Sequence, residues 1–156
     1  TYVKQVACFS ANDGMHTHTK NEIDFGYRTS SFKKAKKDHV ILKVVLELLP
    51  GDKEKSKQEI KIVDEARRTK QPTGFTCGSW FKNPAPDMQA GKLIDQSGLK
   101  GTIHGGAQIS VKHGNFFMNL GTATASDLLA LSELAKKQVK EQFNFDLEEE
   151  VRIIGE

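Results

Sequence analysis

HVILKVVLELLPGDKEKSKQE, residues 39–59, changes character at its middle. The first eleven residues are rich in β-branched and aliphatic side chains, which fit an extended, pleated surface. Pro50-Gly51 stops that strand, because proline offers no backbone donor and glycine takes turn conformations freely. Residues 52–59 are mostly charged. A helix is predicted from about Lys53 to Arg68, with Ile60, Val63 and Ala66/Arg67 at helical spacing, and Pro72 ends the segment. A strand that stops, a shift in composition and a new helix together mark a boundary between two units, 1–51 and 52–156.

Upstream of this stretch, YVKQVACF (2–9) alternates in polarity and reads as a strand. SANDG (10–14) is turn chemistry, and MHTHT pairs back as the second arm of a hairpin. NEIDFGYRTSSFKKAKK is expected to be a polar loop anchored by Phe25, Tyr27 and Phe32. Downstream, GSWFKNPAPD is too rich in proline for a regular element. AGKLIDQSGLKG (90–101) predicts a short helix stopped by Gly98 or Gly101. AQISVKHGNFFMNLG (107–121) predicts a hairpin with arms AQISV and NFFMN. TATASD (122–127) supplies N-cap candidates for a helix whose inner face is Leu128, Leu131, Leu134/Ala135, Val139 and Gln142/Phe143. EEEVRIIGE (148–156) is expected to close the chain as a strand. The fold class is therefore α+β.

The chain has 156 residues, with 37% hydrophobic and 28% charged side chains, as a globular protein requires. No run of about eighteen apolar residues occurs, so no membrane span is expected. The start, TYVKQVACFS, lacks an initiator methionine and a signal-peptide pattern, and opens within a strand-like alternation, as though upstream residues belong to it. Net charge is +3, from 23 basic and 20 acidic residues. That balance is too even to mark a nucleic-acid binder and is compatible with a small anionic substrate. The lysine cluster KKAKK (33–37) is the one local argument for nucleic acid, and a solvated loop accounts for it equally. Cys8 and Cys77 stand far apart without a CxxC, so neither a zinc site nor a disulfide framework is indicated, and two unpaired thiols suit a reducing cytoplasm.

Several side chains have two readings each. Ser79 follows Cys-Gly, where serine is a turn residue or cap. It lacks a GxSxG elbow, which disfavours a nucleophile, but a hydroxyl can also protonate a carbanion. Arg28 in GYRTS packs its stem on Tyr27 with its head in solvent, or presents a guanidinium fork to a carboxylate. Glu150 belongs to a solvated run or, by strand alternation, turns onto a sheet face with Arg152. Lys70 and Asn83 suit phosphates, although Lys70 equally suits a helix C-terminus. His113 in VKHGN is a ligand contact or an exposed turn residue. His16 and His18 lie on one strand face like two metal ligands. No acidic or cysteine partner is near them in sequence, so no metal site is expected. Gly105-Gly106 has no GKS/T or GxGxxG around it and is not a phosphate loop.

Seven blocks occur in order: YRTSSF (27–32), RRTKQP (67–72), CGSWFKNP (77–84), AGKLIDQSGLKG (90–101), GGAQISVKHGNFFMN (105–119), ATASDLLAL (123–131) and EEEVRIIGE (148–156). Together they resemble the C-terminal half of the UDP-N-acetylenolpyruvoylglucosamine reductases, flavoenzymes of peptidoglycan synthesis. The resemblance implies that residues 1–51 end a flavin-binding domain and that 52–156 form an α+β substrate domain. It implies FAD and NADPH as cofactors. Hydride reaches C3 of the enolpyruvyl ether of UDP-N-acetylglucosamine, and the carbanion at C2 is then protonated to give UDP-N-acetylmuramate. On this resemblance Ser79 matches the proton donor, Arg28 the cation that stabilises the enolic carboxylate, and Glu150 a glutamate of the same site. Lys70 and Asn83 match holders of the nucleotide-sugar diphosphate, and His113 a further substrate contact. Two departures stand out. The connection between Leu48 and Ile60 is short where some members carry a longer loop with a clamping tyrosine, and the glycine-rich flavin pyrophosphate segments are absent. The piece alone is therefore expected to bind FAD poorly, to need an upstream flavin-binding region, and to be inactive by itself. The alternative is a non-catalytic nucleotide-sugar binding module.

Overall fold

The computed structural model describes residues 2–34, 36 and 38–155. The chain forms two compact units, Thr1–Ser56 and Lys57–Glu156. In the first, β1 (Val3–Ser10) lies between β2 (Gly14–Thr19) and β5 (His39–Leu46), antiparallel to both. The Asn-Asp-Gly turn closes the β1–β2 hairpin as its composition predicts, with Gly14 at φ +81°. The register sets Cys8 opposite His16 and Val6 opposite His18. On the other side of β1, Ser10 pairs with His39. Between the strands run a 3₁₀ turn (Lys20–Glu22), the two-residue strands β3 (Phe25–Gly26) and β4 (Thr29–Ser30), and the single helical turn α1 (Ser31–Lys34).

This unit has little interior. Among its described residues only Val6, Cys8, Ser10 and Ile23 are buried. Two of the expected loop anchors are not buried: Phe25 is 41% and Tyr27 60% exposed. Phe32 is half-buried. The predicted strand 39–49 forms over His39–Leu46, yet Val40, Ile41, Leu42, Val44 and Leu46 are all exposed. Their apolar character marks a strand built to be covered.

The predicted helix after Pro50-Gly51 is α2 (Lys53–Lys70), and no residue on it is buried. In the second unit, β6 (Thr76–Ser79), β9 (Phe116–Asn119), β8 (Ala107–Ile109) and β7 (Ile103–His104) form one antiparallel sheet in that order. β8 and β9 are the expected hairpin, with shorter arms. β7 escaped the sequence reading, since two residues carry no periodicity. Helices α3 (Ala90–Gln96) and α4 (Ala125–Phe143) cover the sheet, packing Leu93, Ile94, Leu131, Ala135 and Val139 onto Ile109, Phe117, Trp80 and Phe81. α4 begins where TATASD predicts: Thr124 is the N-cap, in a reciprocal capping box with Asp127. The Asp127 carboxylate also accepts the Gly106 N–H at 3.3 Å. A Cβ on Gly105 would overlap that carboxylate, which gives Gly105-Gly106 a packing role.

The end of the chain corrects the sequence reading. EEEVRIIGE is not a strand but makes a single antiparallel bridge, Phe81 to Glu149. Lys82 N–H donates to Glu148 O and Glu150 N–H to Trp80 O, each at 2.8 Å, and beyond Val151 the described residues are exposed. Phe81's own N–H and C=O face the other way, to the side chain of Asn115, and the Trp80 N–H that would extend the ladder donates to Asn115 O instead.

Candidate functional site

Ser79 is the last residue of β6, half-buried, and paired with Phe116. Between the pairs Thr76–Met118 and Ser79–Phe116 the β6 strand carries one extra residue, a bulge. Gly78 sits in it at φ +86°, where a side chain would strain the backbone. Bulges turn the next side chain out of the regular alternation. The Cys-Gly-Ser string is therefore a device for aiming a hydroxyl.

The two aromatics after Ser79 hold it in place. Trp80 is 5% and Phe81 1% exposed. Their rings meet Phe117, Trp80 stacked at 4.8 Å and Phe81 edge-on at 5.9 Å. Backbone bonds complete the anchorage. Trp80 N–H donates to Asn115 O at 2.8 Å, Phe81 N–H to Asn115 Oδ1 at 2.9 Å, and Asn115 Nδ2 to Phe81 O at 2.8 Å. The buried carboxamide thus takes the place of a neighbouring strand. The indole Nε1–H donates to Ser132 Oγ at 2.9 Å, and the Ser132 hydroxyl donates to Glu149 Oε1 at 2.7 Å. Lys136 Nζ lies 3.0 Å from the same carboxylate. Burial pushes the Glu149 carboxyl up, but Ser132, Lys136 and Trp80 outweigh it and hold the group below its ordinary range.

Glu150 is half-buried, and its N–H is bonded to the carbonyl of Trp80, the residue after Ser79. Two of the three residues singled out as catalytic therefore share one edge of the second unit. Arg28 belongs to the first unit. It is exposed, with its guanidinium carbon 5.9 Å from the Tyr27 ring centre and its backbone at φ +57°. Left-handed backbone at a non-glycine residue stores strain of about 1–3 kcal/mol.

Lys70 and His113 line one cleft of about 280 Å³ with Val63, Ala66, Arg67 and Gln71. The cleft exists because the end of α2 is tied to the β8–β9 turn: Lys112 Nζ donates to Arg68 O at 2.9 Å and Gln71 O at 3.4 Å. Lys112 supplies these bonds to the helix C-terminus, and Lys70 lies in its last turn. His113 Nδ1 accepts the Asn115 N–H at 3.2 Å, so the ring's proton is on Nε2. Burial lowers the His113 pKa, and Lys100 adds to this, against the pull of its backbone hydrogen bond and Asp95. Gly91 leaves room for the ring: a Cβ there would stand 2.8 Å from His113 Cε1. The cleft thus joins cations from α2 to a neutral imidazole donor, a set suited to phosphate oxygens.

Asn83 is exposed, and its Oδ1 accepts the Ala90 N–H that opens α3 at 3.2 Å. Lys82 is paired with Glu148. Asn115, Ser132, Glu149 and Lys112 position the site and were missed. Their partners lie 34 to 52 residues away for Asn115, Lys112 and the Trp80–Ser132 bond, so no local spacing signals them.

The sequence pattern described as "UDP-N-acetylenolpyruvoylglucosamine reductase, C-terminal domain" matches residues 70–154. The chain is 44% identical over 138 residues to the UDP-N-acetylenolpyruvoylglucosamine reductase of Bacillus velezensis, covering 88% of this chain and 45% of that protein. It is 42% identical over 158 residues to UDP-N-acetylenolpyruvoylglucosamine reductase 2 of Bacillus cereus, covering all of this chain and 51% of that protein. The crystal structure of the UDP-N-acetylenolpyruvylglucosamine reductase of Thermus caldophilus superimposes with a TM-score of 0.77 at 37% identity, over 94% of this chain and 51% of that one. The chain spans about half the length of the curated relatives it matches. With the family pattern over more than half of its length, the chain belongs to the UDP-N-acetylenolpyruvoylglucosamine reductase family and contains that family's C-terminal domain.

Proposed function

We propose that this chain is the substrate-protonating half of a reductase that converts UDP-N-acetylglucosamine enolpyruvate to UDP-N-acetylmuramate for cell-wall synthesis in the cytoplasm. Residues 1–51 end a flavin-binding domain and 52–156 form the substrate domain. The observation that supports the reading is the bulge before Ser79, on a backbone locked by Trp80, Phe81 and Asn115, with Glu150 N–H bonded to the carbonyl of the residue after Ser79.

FAD and NADPH supply the hydride in this reading. In this reading the first unit by itself does not hold the flavin's pyrophosphate. Its three glycines, Gly14, Gly26 and Gly51, are scattered rather than gathered into a loop of N–H donors for a pyrophosphate. The flavin is assigned to residues beyond this chain.

What these residues do is handle charge. When C2 of the enolpyruvyl group becomes a carbanion, its charge spreads into the adjoining carboxylate. Arg28, a planar fork of donors that stays protonated, stabilises that carboxylate more as charge grows. Ser79 Oγ–H gives its proton to C2. A hydroxyl is a weak acid, but a carbanion is a far stronger base than the alkoxide left behind. Glu150 completes the polar edge on which the proton donor sits. Lys70 and His113 hold the diphosphate from the cleft, together with Asn83. A fixed donor matters, because a misplacement of about 1 Å costs on the order of a hundredfold in rate.

The test separates the half-reactions in the full-length protein. Ser79→Ala is expected to leave NADPH-driven flavin reduction intact and to lower turnover of the enolpyruvyl substrate by about 10²–10⁴-fold. Equal loss of both half-reactions overturns the role of Ser79. A protein that binds the nucleotide sugar but shows no substrate-dependent NADPH oxidation is a binding module instead.

A further inference from the structure

The first unit holds a second cluster of chemistry-bearing side chains that the reductase reading does not use. Cys8 on β1, His18 on β2 and His39 at the start of β5 each offer one ligand atom, and these three atoms lie within 4.8 Å of one another. His16 stands two residues before His18 on the same strand face, its ring centre 5.6 Å from that of His39 and 6.1 Å from that of His18. No metal site is expected from the sequence because no partner stands near His16 and His18. Antiparallel pairing supplies the partners, Cys8 and His39, from 8 to 23 positions away.

Two observations mark this cluster as a site rather than a packed core. The Nε2 atoms of His16 and His18 are buried and have no hydrogen-bond partner among the described residues. Buried polar atoms normally have one. The third imidazole is oriented as a metal ligand is. His39 Nδ1 donates to Asp38 Oδ1 at 2.9 Å, and Asp38 Oδ2 accepts the Ser10 hydroxyl at 3.0 Å. A carboxylate on one ring nitrogen fixes the tautomer and presents the other nitrogen's lone pair, the usual outer arrangement around a histidine-bound metal. Phe32 closes one side, edge-on to His18 at 5.9 Å and to His39 at 6.5 Å.

We propose that Cys8, His18 and His39 bind a divalent transition metal of the zinc class, with His16 or a water in the fourth position. One sulfur and imidazole nitrogens are the donor set such ions prefer. Tetrahedral coordination needs ligand atoms about 3.3–3.8 Å apart, so the site closes by about 1 Å, within reach of side-chain rotation. On binding, the Cys8 thiol releases its proton to solvent and the sulfur–metal bond forms; the imidazoles bind neutral, and nothing is oxidised or reduced. The metal would cross-link all three strands of a sheet that has little core of its own.

The test uses the 156-residue chain with Cys77→Ser, which removes the exposed second thiol and leaves Cys8 as the only one. Titration with Co²⁺ should give one equivalent bound, tetrahedral visible bands and a thiolate-to-cobalt charge-transfer band. Zn²⁺ should then displace the cobalt with loss of the colour. Cys8→Ser should abolish the charge-transfer band, His18→Ala should weaken binding at least a hundredfold, and Asp38→Asn should weaken it about 10–100-fold. Circular dichroism of each metal-free variant checks that the fold is kept. Absence of stoichiometric binding overturns the proposal, as does binding without the thiolate band in the folded Cys77→Ser chain, which needs no change at the site.

Discussion

Gly78 illustrates how much one backbone angle carries. A Cβ there meets no atom within 4 Å, so the requirement is conformational, not steric crowding. Gly78→Ala is expected to cost about 1–2 kcal/mol from the left-handed backbone alone. Thermal unfolding should show this as a fall of about 2–8 °C. Because the bulge aims Ser79, the same variant should lose more in kcat than in KM for the enolpyruvyl substrate of the full-length protein. Asn115 is the second such position. Asn115→Ala removes both partners of the buried Phe81 peptide groups, each worth about 1–3 kcal/mol when left unsatisfied. Denaturant titration is expected to show a loss of about 2–4 kcal/mol. A loss below about 0.5 kcal/mol would mean that water or another group replaces the carboxamide.

At the scale of elements, the site is held where β6, the hairpin turn and the last bridge meet α4. The chain Trp80–Ser132–Glu149–Lys136 joins three of them. Glu149 binds its proton less tightly folded than unfolded, where its ordinary value is 4.5. Its contribution is therefore fully present above that value and is lost as pH falls through the lower folded value. Unfolding free energy measured from about pH 7 down to about pH 3 should drop in this acid window, and Glu149→Gln should flatten part of the drop. An identical slope in the two proteins would leave Glu149 without a part in acid stability. The α2 C-terminus depends on one donor, Lys112. Lys112→Ala is expected to loosen the wall of the Lys70–His113 cleft, raising the Kd for the nucleotide sugar about tenfold with little change in global stability.

At the scale of the whole molecule, the two units are unequal. The second has a continuous core of aromatic and aliphatic residues, while the first buries little and exposes the apolar β5 strand. Hydrogen exchange should find the slowest amides in β8, β9 and α4, and faster exchange throughout β1, β2 and β5. The same contrast bears on the cofactor. The chain by itself is expected to bind FAD weakly or not at all, checked by flavin fluorescence during titration, and an added upstream flavin-binding region should restore stoichiometric yellow protein. Tight binding of FAD by the 156 residues alone would overturn the assignment of the flavin site to residues beyond them.

Much was legible in the chain before any coordinates. The β1–β2 hairpin, β5, α2, α3, the β8–β9 hairpin and the capped start of α4 arise from periodicities and turn chemistry that act within a few residues. The order of seven short blocks was enough to point to the family, since side-chain types at a site survive in the linear sequence. Other features belong to tertiary structure alone. Asn115 as a surrogate strand, the Trp80–Ser132–Glu149 chain and the Cys8–His18–His39 cluster each join groups distant in sequence, and strand register decides which of them meet. The closing strand failed for the same reason: alternation predicts a ladder, but a ladder needs a neighbour with open backbone groups, and the Trp80 N–H beside the bridge is already bonded to Asn115 O. Local sequence sets which conformations a segment prefers, and only the assembled fold decides which partners remain to satisfy it.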